Sequence, residues 1–292
     1  MKLISIDEKK ERNMNDSKPI PQDTRERFRE LRTCSRTFFY LLNREFGYPV
    51  ENKERAADPL AGGMQRGHQC GMLWGSALAV GAESYRRFEG GDQAVGLAIT
   101  ATQHLVESFS NRTKSVNCRD VTGYDFSRKF DLVKYMARFI FLGDRSCFEL
   151  AEKWAPEAIQ SASRGLSHEQ PDLTQKPISC ASEVAKKMGA GDEETIMVAG
   201  YAGGLGLSGA ACGALGAAIW LKTLTWCREH PGKSPPYFNN PDMKKKIAAF
   251  AGATDSEFLC HKICGRRFNT ISDHTEFIEN GGCDKLIDVL AQ

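Results

Sequence analysis

Two cysteine intervals of equal length divide this sequence. Cys70 is followed 48 residues later by Cys118, and Cys212 is followed 48 residues later by Cys260. Each downstream cysteine has a glycine five positions on, Gly123 and Gly265. The segments leading into the intervals also correspond. Ala61-Gly62-Gly63-Met64-Gln65-Arg66-Gly67-His68-Gln69-Cys70-Gly71 resembles Ala202-Gly203-Gly204-Leu205-Gly206-Leu207-Ser208-Gly209-Ala210-Ala211-Cys212-Gly213, with one inserted residue. Upstream, Cys34 and Cys180 each lie on a segment that ends in a glycine-containing turn. Downstream, Cys147 and Cys283 each follow such a turn and precede an apolar helical pattern. Eight of the ten cysteines thus fall into two ordered sets of four, which reads as a tandem duplication.

The duplication sets the expected domain organisation. Residues 1–22 read as a mobile leader, 23–160 as repeat 1, 161–177 as a polar linker and 178–292 as repeat 2. The pattern within the repeats is helical. Phe28, Leu31, Ser35, Phe38 and Leu42 share one face, with Gly47 as a stop, and Leu132, Val133, Met136, Ala137 and Ile140 repeat the spacing. Asn240-Pro241-Asp242 offers a cap, a first-turn proline and a first-turn acid for a helix through Phe250. No alternating strand stands out. The expected fold is all-α, with two tandem helical-bundle repeats related by pseudo-twofold duplication.

Composition excludes several function classes. With 39 basic against 37 acidic residues, the net charge of +2 leaves no electrostatic footprint for nucleic acid. The first residues are charged and lack the apolar stretch of a secretory signal, so a reducing, cytoplasmic setting is expected. Ten cysteines in such a setting point to metal ligation or redox work rather than structural disulfides. Residues 195–221 carry no charge and could span a bilayer. Seven glycines in that stretch favour instead a buried loop entering a helix, with no membrane span. There is no Ser/His/Asp set, Walker loop or dinucleotide fingerprint in a suitable context.

The cysteine order carries a resemblance. Cys, then Gly-x-x-Cys-Gly, then Cys-x-x-x-x-Gly, then Cys resembles the redox-active protein family named after its C…GCAxxG…C…C pattern, once in residues 24–160 and again in 178–292. The related cysteine-bearing region of split-Soret cytochromes is associated with a [2Fe–2S]-type centre. The resemblance therefore implies a redox role for Cys34, Cys70, Cys118 and Cys147, and for Cys180, Cys212, Cys260 and Cys283, with two [2Fe–2S] clusters per chain. Repeat 1 departs in carrying Met72 and Trp74 where small residues are usual. No Cys-x-x-Cys-His occurs, so covalent haem is not implied.

The residues support that chemistry independently. Iron–sulfur clusters need four ligands, usually thiolates, and each repeat has four matching cysteines. Gly67-x-x-Cys70-Gly71 and Gly209-x-x-Cys212-Gly213 would supply backbone N–H groups to sulfur at the entry to a helix. Such a protein would be an electron carrier, working with a redox partner protein as a homo-oligomer or as a subunit of a larger oxidoreductase. Two other readings stay open: a thiol–disulfide oxidoreductase with Cys70 and Cys212 as nucleophiles, and a structural protein with buried cysteines. Cys264, one helical turn after Cys260, could pair with it or replace it as a ligand, while Cys227 has no counterpart in repeat 1. His68 and His261 adjoin the cysteine motifs and could tune a cluster. Lys244-Lys245-Lys246, Arg86-Arg87 and Arg266-Arg267 read as solvated charge, the arginine pairs being able to dock an acidic partner.

Overall fold

Arg32 and Thr33 divide what the spacing from Phe28 to Leu42 suggests is a single helix. Arg32 takes a left-handed φ of 69°, and Thr33 Oγ1 accepts from the Arg36 N–H. Helix α1 (Thr24–Leu31) therefore ends and α2 (Cys34–Glu45) begins on a capped donor. Gly47, at φ 82°, turns the chain after α2 as expected. The computed structural model describes residues 23–128, 130, 131, 133–135, 137, 146–167, 176–237 and 240–292. The 1–22 leader, Leu132, Met136, Ile140 and residues 168–175 of the linker lie outside them.

The chain continues through α3 (Glu51–Arg55), a 3₁₀ turn at Asp58–Leu60 and a left-handed turn containing Met64 and Gln65, into α4 (Gly71–Phe88). Then come α5 (Gly91–Thr113), α6 (Cys118–Thr122) and α7 (Ser146–Leu166), the last running into the 161–177 segment. The second half comprises α8 (Cys180–Lys187), α9 (Asp192–Met197), a 3₁₀ turn at Ala199–Tyr201 and α10 (Gly213–Glu229). It ends with α11 (Pro241–Ala253), α12 (Cys260–Ile263), α13 (Ile271–Glu279) and α14 (Asp284–Ala291). Asn240 Oδ1 accepts from the N–H groups of Asp242 and Met243, the expected cap of α11. Among the described residues there is no strand, and the fold is all-α. Among the described residues, β-pairing is limited to two isolated bridges, Gln69 with Asn117 and Ala211 with Leu259.

The uncharged 195–221 stretch is two short helical segments, a glycine turn and the start of α10. No helix among the described residues is long and apolar enough to cross a membrane. Its small residues serve close packing instead. A Cβ on Gly213 would lie 1.8 Å from the Tyr201 carbonyl oxygen, and one on Gly216 would lie 2.5 Å from the Trp74 ring. The bulky Trp74 thus fits because α10 presents a notch opposite it. Gly75 does the same for the α2–α4 crossing, where a Cβ would meet the Ser35 carbonyl oxygen at 1.9 Å.

The two halves share one core. Phe38, Leu41, Trp74, Phe109 and Trp154 from the first half join Tyr201, Leu215, Trp220 and Phe250 from the second, all excluded from solvent. Polar links lie within it. The Gln69 amide donates to the Gly204 and Ala211 carbonyls at 3.0 and 3.2 Å and accepts from the Ala211 N–H at 2.9 Å. The Tyr201 hydroxyl donates to the Trp74 carbonyl at 3.0 Å, and its ring meets the indole edge-on at 4.6 Å. Buried amide groups need such partners. Here the partners come from the opposite half.

Candidate functional site

Each half holds its motif cysteines at helix starts. Cys34 and Cys180 are the first residues of α2 and α8, and each follows a hydroxyl cap, Thr33 or Ser179. Cys70 and Cys212 are the caps of α4 and α10, Cys283 is the cap of α14, and Cys147 lies in the first turn of α7. Cys118 and Cys260 open the short α6 and α12. The backbone around the middle pair is the same in both halves. The Cys70 N–H donates to Val116 and the Cys118 N–H to His68, just as Cys212 donates to Phe258 and Cys260 to Ala210. These bonds fix the second and third cysteines of each set side by side.

In the first half the structure brings Cys34, Cys70, Cys118 and Cys147 together. Cys34 is held below the ordinary thiol range, first by a hydrogen bond from Cys70, with further help from the N–H groups of Gly62 and Ser35 against the cost of burial. Cys70 is driven well up by sharing its proton with Cys34, by burial, and by the proximity of Cys34 and Cys118. Burial raises Cys118, and Cys34 and Cys147 add to the effect. Tyr135 is raised by burial and by Cys147, to which it is hydrogen-bonded. Tyr237, from the second half, is raised by burial and feels Cys34, Cys118 and Cys147.

The second centre contains five sulfurs. Burial pushes Cys180 up to about 11, opposed by the N–H groups of Gly203 and Ala181. Burial likewise takes Cys212 to about 12, with Cys180 contributing and the N–H groups of Leu215 and Ala214 opposing. Cys264 joins the four expected residues: its sulfur lies 3.9 Å from that of Cys260 and also hydrogen-bonds Cys283. Those two bonds, led by the one from Cys260, hold Cys264 well below the thiol range, and they raise Cys260 and Cys283 correspondingly. The buried His274 lies close enough to Cys264 to contribute as well, and its Nδ1 bonds the Ile178 carbonyl.

The glycines divide by role. Gly71 borders a site sulfur, since a Cβ there would be 2.5 Å from Cys34 Sγ. Gly213 packs on Tyr201 rather than on sulfur, while Gly67 and Gly209 are left-handed turns against Arg119 and against His261 and Arg267. The groups that donate to the first sulfur of each set are Gly62 and Gly203, in the repeated Ala-Gly-Gly. Sequence reasoning missed these two, along with Tyr135, Tyr237 and His274. The repeated glycine doublet was the available signal for the first pair; the others come from distant segments.

His68 stacks on Phe258 at 5.0 Å, and its pKa is lowered to about 4 by burial and by Arg119 and Arg66. His261 Nδ1 bonds the Gly209 carbonyl at 2.7 Å. Both histidines are committed to the loops beside the cysteines. Cys227 is buried and raised to about 11 by that burial, as a core thiol would be. Cys70 and Cys212 are both buried and raised, Cys70 first by its hydrogen bond with Cys34 and Cys212 first by burial. Cys34 and Cys264 are both held below the ordinary thiol range. Among the described residues, no three His, Cys, Asp or Glu side chains are arranged to hold one metal ion.

A search of curated proteins and a search of solved structures each found no match to the chain. Residues 32–156 match the family model described as "Putative redox-active protein (C_GCAxxG_C_C)", a span that takes in Cys34, Cys70, Cys118 and Cys147.

Proposed function

We propose that this protein is a one-electron carrier, arisen by tandem duplication, in which each half binds an iron–sulfur cluster, [2Fe–2S] in type, through four cysteine thiolates. The observation that carries the reading is the gathering of buried and half-buried sulfurs from four separate elements in each half, at helix starts where backbone N–H groups reach Cys34, Cys180 and Cys212. Those N–H groups favour negative sulfur. The donor set fits a cluster in kind and number: Cys34, Cys70, Cys118 and Cys147 in one half, and Cys180, Cys212, Cys260 and Cys283 in the other. A mononuclear ion would need its donors around one point. A binuclear cluster takes thiolates two to each iron, which four cysteines in each half would supply.

Charge explains why such a centre calls for a cation. Four thiolates cannot share a buried site uncompensated, and in the metal-free chain burial keeps most of these sulfurs protonated. Ligation requires their protons to leave, so binding should weaken on acidification. When bound, the cluster would supply a reversible one-electron couple. The chain's own groups would set its surroundings: Gly62 and Gly203 donate to sulfur, and Tyr135 and Tyr237 crowd the first centre. The partner would be a redox protein that exchanges single electrons with these centres. Anaerobic purification followed by visible and electron paramagnetic resonance spectroscopy tests the reading. Broad visible absorption with a reduced-state signal supports it; a colourless, silent protein rejects it.

A further inference from the structure

We propose that Cys260 and Cys264 form a dithiol that reduces hydrogen peroxide and closes to a disulfide, a two-electron chemistry confined to the second half. Three observations carry it. The two sulfurs are already 3.9 Å apart, one helical turn from each other, and Cys264 is half-buried at the end of α12 where the helix stops. The flank of Cys264 is open, since a Cβ on the neighbouring Gly265 would meet nothing within 4 Å. The first half supplies an internal contrast. There Thr122 stands four residues after Cys118, and its hydroxyl donates to the Cys118 carbonyl at 2.7 Å, so the same backbone carries no second thiol.

The step balances. The Cys264 sulfur gives up its proton and attacks one peroxide oxygen; the S–O bond forms, the O–O bond breaks, and hydroxide leaves to become water. Cys264 is then a sulfenic acid. The Cys260 sulfur attacks Cys264 Sγ, the S–S bond forms, the S–O bond breaks, and hydroxyl departs with the Cys260 proton as a second water. Two thiols and one peroxide give one disulfide and two waters. The sulfurs must approach from 3.9 Å to about 2.05 Å, within reach of side-chain rotation at a helix end. The inference goes beyond the cluster reading, which assigns Cys260 to iron; the pair is free to react when iron is absent.

The test uses the full chain, metal-free after chelation, treated with one equivalent of hydrogen peroxide, alkylated and mapped by mass spectrometry. Trypsin cleaves after Lys262, between the two cysteines, so their disulfide would appear as a linked peptide pair. The expected result is that this pair forms first, with loss of two hydrogens, and is missing from Cys264→Thr and Cys260→Ser. A first disulfide between Cys264 and Cys283, or peroxide consumption in Cys264→Thr equal to wild type, would overturn the proposal. If the variants do not fold, the wild-type map alone decides between these outcomes. A wild-type protein that binds no iron yet forms the Cys260–Cys264 link would sink the cluster reading and leave this one standing.

Discussion

Gly71 packs so close to Cys34 that even a methyl group is excluded, which ties one residue's size to the geometry of the first sulfur centre. In Gly71→Ala the new Cβ would sit 2.5 Å from Cys34 Sγ and 2.8 Å from Ala61 Cα. Urea denaturation should show a loss of about 1–3 kcal/mol, the usual cost of overpacking, together with altered spectra of the first centre only. His68 offers a second test, in pH. Its folded pKa of about 4 lies below the ordinary value near 6.5, so the unfolded chain binds the extra proton and stability falls as pH drops through that window. Asp58 titrates in the opposite sense. Burial raises it to about 6, so its contribution is present at low pH and is lost as pH rises through 6. Comparing wild type with His68→Gln at pH 7 and pH 4.5 isolates the histidine, and the variant should lose less stability on acidification. At this scale the eight cysteines were legible because their spacing repeats. Tyr237 was not, because it reaches the first centre from the far half of the chain and no local pattern marks it.

Helices were legible as a class, but their joints were only partly so. The apolar spacing from Phe28 to Leu42 runs on through a break at Arg32, because α1 and α2 present apolar faces to the same core. The readable clue was Thr33, a hydroxyl cap before Cys34 that matches Ser179 before Cys180. Trp74 was harder. Its neighbours in sequence say nothing about Gly216, whose missing side chain makes room for the indole. Because Trp74 is fully buried and its ring meets Tyr201, Trp74→Ala should cost about 3–5 kcal/mol in denaturation experiments. Melting monitored at both halves should move together, since this side chain joins α4 to the second half.

At the scale of the molecule, two sulfur-rich centres lie in one chain with a shared core, alike in backbone and different in detail. The first has four cysteines with Tyr135 and Tyr237 beside them; the second has five, with His274 close by. The four-residue spacing from Cys260 already marked Cys264 as a neighbour, but it falls outside the repeated pattern and only the fold brings Cys283 to it as well. If each half ligates its own cluster, a ligand lost from one should leave the other intact. Cys212→Ser is the sharpest such change, since serine nearly preserves the shape of this buried residue but is a poor ligand for soft metal. The deciding measurement is iron and acid-labile sulfide per chain in anaerobically purified wild type and Cys212→Ser. The expected values are about four of each in wild type and about two in the variant, as two independent [2Fe–2S] centres require. No iron in either protein, or the same content in both, would contradict the assignment.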